Sequence, residues 1–152
     1  MISILRNLLL FTGLLILFSG CLFSTKDITN DESLRGGYNK GDIFIAQKDI
    51  VIRDSDYLID SDVIIRAFNK GDSPQGYKGL LRRGNKVKIV QIFFRHHFDI
   101  GDQINPIAIV LDGEWQGQEV NMRLVSKPLK DVVTEDSRYQ ILTNNEKFFI
   151  KE

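Results

Sequence analysis

The chain has 152 residues, with 20 Lys and Arg against 20 Asp and Glu and therefore no net charge. That length allows one domain of ordinary size, and the balanced charge argues against nucleic-acid binding, which usually shows a basic excess on one face or tail. The single cysteine, Cys21, excludes an intrachain disulfide and a cysteine-based zinc cluster.

Residues 1–7 carry one basic side chain, Arg6, and residues 8–18 (LLLFTGLLILF) form an eleven-residue apolar run broken only by Thr12 and Gly13. A helix of that length covers roughly half of a ~30 Å hydrocarbon core, too little to span a membrane and suited to the apolar region of a signal peptide. The run ends in Leu17-Phe18-Ser19-Gly20-Cys21.

Ser19-Gly20-Cys21 resembles the lipobox of bacterial lipoproteins, with Phe18 where that family prefers Leu. The resemblance implies cleavage between Gly20 and Cys21, acylation of the Cys21 thiol, and attachment to a membrane through that lipid. One acyl chain gives only reversible attachment, whereas two or three anchor stably. Leu22, rather than Asp, follows the cysteine, which in a Gram-negative envelope favours the outer membrane. The expected organisation is a signal peptide over 1–20, a lipidated N-terminus with a flexible tether over 21–40, and one β-rich domain over 41–152. The tether expectation rests on composition: between 24 and 40 only Ile28, Leu34 and Tyr38 are sizeable apolar residues among many polar ones and Gly36-Gly37.

Beyond Gly41 the sequence reads as strands, with Ile, Val and Phe in short runs separated by Gly, Asn and Asp turns. Strands are predicted over 43–47, 50–53, 63–68, 77–81, 86–95, 107–111, 119–125, 139–142 and 147–150, and a helical turn within 129–137. In 86–95, Val87 and Ile89 share odd positions while Val90, Ile92 and Phe94 share even ones. Side chains alternate with period two, so both sets reach one core only through an inserted residue, and a β-bulge is predicted near 89–91. The run 107–111 (IAIVL) is predicted to be central and covered on both faces, with Pro106 at its start. The fold class is all-β, a small barrel or a compact β-sandwich.

Residues 63–90 resemble a bacterial Src-homology-3-like domain. The likeness lies in Val63-Ile64-Ile65-Arg66, a loop with Pro74, and Gly79-Leu80-Leu81-Arg82-Arg83-Gly84-Asn85 leading into the alternating Lys86–Val90 segment. It implies a small barrel. Downstream the chain departs from that family, since its sole Trp, Trp115, falls in a loop and no Gly-Trp pair follows.

No Gly-rich phosphate loop, Ser nucleophile motif or His-Glu-x-x-His sequence is present, so no cofactor and no enzymatic activity are expected. His96 and His97, with Asp99 and Asp102 nearby in sequence, are weak metal candidates, because consecutive strand residues point to opposite faces. The acidic triplets 54–56 and 60–62 lack the glycine of a calcium loop and read as solvated turns. Trp115, Tyr57 and Tyr77 are the candidate ligand-binding residues, with Trp115 alternatively a lid over the core. The function these features suggest is a membrane-anchored, non-enzymatic binding or accessory module for an envelope protein or a cell-wall ligand. The alternative is a small envelope hydrolase or metal-binding protein using His96 and His97.

Overall fold

The computed structural model describes residues 23–63, 76–97 and 101–152. Within them the chain forms eleven strands: β1 (Phe23–Asp27), β2 (Ile43–Ala46), β3 (Ile50–Arg53), β4 (Leu58–Asp60), β5 (Tyr77–Leu81), β6 (Lys86–His97), β7 (Gln103–Val110), β8 (Glu119–Asn121), β9 (Lys127–Val133), β10 (Arg138–Thr143) and β11 (Phe149–Lys151). A 3-10 turn, Arg123–Val125, follows β8. The largest sheet has the order β11-β2-β6-β7-β8, a second runs β4-β3-β5, and β9 and β10 form a hairpin. Every ladder between named strands is antiparallel. The protein is all-β, and among the described residues no ladder closes into a barrel.

The organising element is β6, twelve residues long. Along one edge it pairs throughout with β7, and along the other its first half pairs with β2 and its second half with β1. The register shifts between Ile89 and Gln91, where the bulge was predicted. It lets Val87 and Ile89 on one side of the shift, and Ile92 on the other, all point into the core, each fully buried. The change of partner falls at the same place: Gly41 donates to the Ile89 carbonyl at 2.8 Å, and Ile28 to the Ile92 carbonyl at 2.9 Å. Gly84, at φ +89°, makes the turn from β5 into β6 in a conformation that costs other residues energy.

The flexible tether is not what residues 23–40 form. β1 is a paired strand, and Ile28 and Tyr38 are each 1 % exposed within the core. Leu34 packs against the same core. The polar residues that suggested a linker make tight local turns: the Asp27 carboxylate accepts from the Thr29 amide at 2.9 Å and its hydroxyl at 2.6 Å, and Asp31 accepts likewise from Ser33. The β-domain therefore includes residues from Phe23 onward, not from 41.

Four further expectations need correction. Residues 129–137 do not form a helical turn; they belong to the β9–β10 hairpin, closed by Thr134 donating to the Ser137 carbonyl at 2.8 Å. Pro106 lies inside β7, opposite Ile92, rather than at a strand start. It is tolerated because β8 stops there: Met122 donates to the Pro106 carbonyl at 2.9 Å, while its own carbonyl, denied a proline N–H, accepts from Val125 and Ser126. That ends the predicted 119–125 strand at Asn121 and leaves Leu124 exposed. In β7, Ala108 and Val110 face the core while Ile107 and Ile109 are only half-buried on the opposite face. Of the strand predicted over 63–68, residues 64–68 lie outside the described residues.

Candidate functional site

Cys21 and Gly20, the expected lipidation and cleavage positions, lie outside the described residues, as do Asp99 and the side chain of His97. His96 sits near the end of β6, and its Nδ1 meets the carboxylate of Asp102, which stands just before β7. The Asp102 side chain is almost fully buried, and its second oxygen accepts a hydrogen bond from the Ser137 hydroxyl in the β9–β10 turn. The order along this chain is Ser–Asp–His. The carboxylate separates the hydroxyl from the imidazole, so His96 is not placed to take the Ser137 proton as a general base would. Among the described residues no group of three or more His, Cys, Asp or Glu side chains converges as a metal site.

The three aromatic candidates do not share one groove. Trp115, in the loop between β7 and β8, packs against the core, and its indole lies so close over Gly79 of β5 that a Cβ there would stand 2.1 Å from Cζ2. Lys78 Nζ lies 5.9 Å from the centre of a Trp115 ring. This is the lid geometry, made possible by the missing side chain at position 79. Tyr77 is exposed at the start of β5. Tyr57, half-buried in the turn between β3 and β4, is the candidate that stands at a cleft.

Two clefts meet at Ser55 and Tyr57. The first, of about 200 Å³, is lined by Asp56, Arg95, Ile107, Glu119, Val120 and Asn121 besides the shared pair. The second, of about 390 Å³, is lined by Arg53, Gln103, Arg123 and Leu124. Beneath them runs a buried polar network. Tyr57 donates to Asn105 Oδ1 at 3.3 Å, Asn121 Nδ2 donates to the same oxygen at 3.0 Å, and Asn121 Oδ1 accepts from the Arg123 amide at 3.0 Å. Asn105 is 1 % exposed and Asn121 8 %, so these amides are satisfied by one another rather than by bulk water. The network fixes the phenol of Tyr57 and the start of the 3-10 turn relative to β7.

Arg123 is the residue that sequence reading passed over. It falls on the polar side of the 119–125 alternation, where it reads as one more solvated charge. The break at Met122 turns it instead into the second cleft, half-buried, and burial pulls its pKa below the usual guanidinium value, with Tyr57 acting the other way. Among the described residues its guanidinium has no ion-pair partner. Arg53, in the same cleft, is itself engaged, and its guanidinium and the Asp54 carboxylate both lie close to Gly76.

Among the described residues no helix is long and apolar enough to cross a membrane. Comparison with protein-family models, curated proteins and solved structures gives no match.

Proposed function

We propose that this protein is an envelope lipoprotein, anchored through acylated Cys21, whose β-domain is a non-enzymatic binding module for an envelope protein or a cell-wall ligand. The observation that carries the anchor is Ser19-Gly20-Cys21 at the end of an eleven-residue apolar run. Binding is supported by the polar clefts at Tyr57, which stand over a buried amide network. Only Leu22 separates Cys21 from β1. In this reading the lipid holds the domain within a residue or two of the headgroups, at ~3.5 Å per residue, rather than on a long leash.

The test is mass spectrometry of the protein extracted from membranes. An N-terminus at Cys21 carrying diacylglyceryl mass is expected, and Cys21→Ser should leave the precursor uncleaved at this site. A mature N-terminus at Cys21 without acyl mass overturns the lipoprotein reading. Crosslinking in intact cells followed by pull-down should recover a defined envelope partner or wall fragment.

A further inference from the structure

We propose that the cleft between Tyr57 and Arg123 binds a carboxylate carried on a small apolar body, with the Arg123 guanidinium as its ion-pair partner and Ser55 and Gln103 as flanking hydrogen-bond donors. The inference deepens the binding-module reading by naming the chemistry of a ligand, and it does not depend on the anchor.

The first argument is charge. A half-buried cation loses much of its hydration, and proteins ordinarily compensate that loss with a carboxylate. Among the described residues none lines this cleft: its walls there are Arg53, Ser55, Tyr57, Gln103, Arg123 and Leu124. Asp56, in the adjoining cleft, is committed to Lys78 at 2.7 Å and to Gln118 at 3.1 Å. Among the described residues of the cleft, the Arg123 charge without an ion pair calls for a single negative charge. A doubly charged phosphate would exceed it, whereas a carboxylate matches it and fits the planar guanidinium fork.

The second argument is shape and polarity. The Arg123 backbone is pinned by Asn121 Oδ1, so its side chain leaves from a fixed point. Tyr57 lines the cleft and commits its hydroxyl hydrogen to Asn105. Leu124, 55 % exposed, also lines the cleft. An aromatic side chain and an isobutyl group in one cleft with a guanidinium suit a carboxylate whose neighbouring carbon bears an apolar substituent. A volume of about 390 Å³ admits an amino-acid-sized group. Two sources share this chemistry, the C-terminal end of a peptide and a free organic acid.

The experiment uses the full mature chain in detergent micelles, isotopically labelled for amide chemical-shift titration. The probes are N-acetylleucine, N-acetylleucine amide, a leucine-terminated tripeptide and inorganic phosphate. N-acetylleucine should saturate in the millimolar range with shifts centred on Tyr57, Arg123 and Leu124, while its amide should bind at least tenfold more weakly. Arg123→Gln should weaken N-acetylleucine at least tenfold with melting unchanged or raised, since it removes a desolvated charge. Gln103→Ala, on a different strand, should weaken it in the same direction, which guards against a folding defect in one variant. Tighter binding of the tripeptide assigns the site to chain ends, and equal binding assigns it to small acids. Absence of saturation, equal binding of the amide or of phosphate, or an Arg123→Gln protein that binds N-acetylleucine unchanged overturns the proposal. Failure of the lipid-mass measurement would leave this titration unaffected, and the reverse also holds.

Discussion

The phenol of Tyr38 meets the hydroxyl of Ser126 at 2.6 Å across 88 positions of the chain. Ser126 spends its own hydrogen on the Met122 carbonyl at 2.7 Å, so Tyr38 is the donor. The ring packs edge-on against Phe44, centroids 5.7 Å apart. One residue of the polar N-terminal segment thus bonds to the turn that follows β8 and packs on β2 of the main sheet, and residues 23–40 are structural.

A chain beginning at Gly36 should therefore be much less stable than the mature protein, because it loses β1 and uncovers the second half of β6. Ile28→Ala alone should cost about 2–5 kcal/mol, the range for emptying a core position. Thermal melting of both proteins checks this. A truncated chain that melts with the mature one would return the segment to the status of a linker.

Burial pushes the Tyr38 phenol from its ordinary 10.0 up to about 12, against the lowering effect of the Ser126 hydroxyl. The folded-state pKa lies above the unfolded one, so the stabilising contribution is complete below pH 10 and is lost as pH rises from 10 through 12. The loss should be on the order of 2–3 kcal/mol. Tyr38→Phe should be about 1 kcal/mol less stable at neutral pH and should show a shallower alkaline limb in denaturant titrations between pH 9 and 12.

Asp60, at the end of β4, accepts from Lys48 Nζ at 2.7 Å and from Lys147 Nζ at 2.8 Å. Both ammonium groups also stand over the Phe148 ring, at 5.7 and 5.1 Å. Burial raises the carboxyl pKa, but the two lysines and the Asp62 amide outweigh it and hold the group at about 2. The folded-state pKa lies below the unfolded one, so this contribution is present above pH 4 and lost as pH falls through 2. Asp60→Asn should flatten the loss of stability between pH 4 and 2, followed by urea midpoints across that interval.

Gly79→Ala would drive a methyl group into the Trp115 indole, whose Cζ2 lies 2.1 Å from the site. The ring must leave, so a red-shifted tryptophan emission and a loss of about 1–3 kcal/mol are expected. Trp115→Ala should also destabilise, by about 2 kcal/mol or more for a large, partly buried ring. Unchanged melting of Trp115→Ala together with loss of a binding partner would instead mark Trp115 as a contact residue.

Ile89→Ala should cost about 2–5 kcal/mol, whereas Ile109→Ala should cost about 1 kcal/mol. The first empties the core beside the bulge, and the second trims a half-buried position on the outer face of β7. Denaturant unfolding of the pair measures the difference directly.

The period-two pattern by itself determined the all-β class, most strands from β2 to β7, and the bulge between Ile89 and Gln91. Alternation is a local property, and a single core face enforces it residue by residue. The Asp112–Gly117 position of Trp115 was equally plain, but not what the ring would cover, because Gly79 lies 36 positions away. Tertiary structure alone decided that Ile28, Leu34 and Tyr38, three apolar residues scattered among turns, are enough to dock residues 23–40. Their spacing carries no period, and their burial exists only because β6 and the turn after β8 offer them surface. It also decided the fate of Arg123. The change from strand to 3-10 turn at Met122 follows from the N–H that Pro106 lacks on a neighbouring strand, and no short window of sequence around 123 contains that proline. Charges that are solvated or desolvated according to a backbone turn several ångströms away belong to the folded chain rather than to the string of residues.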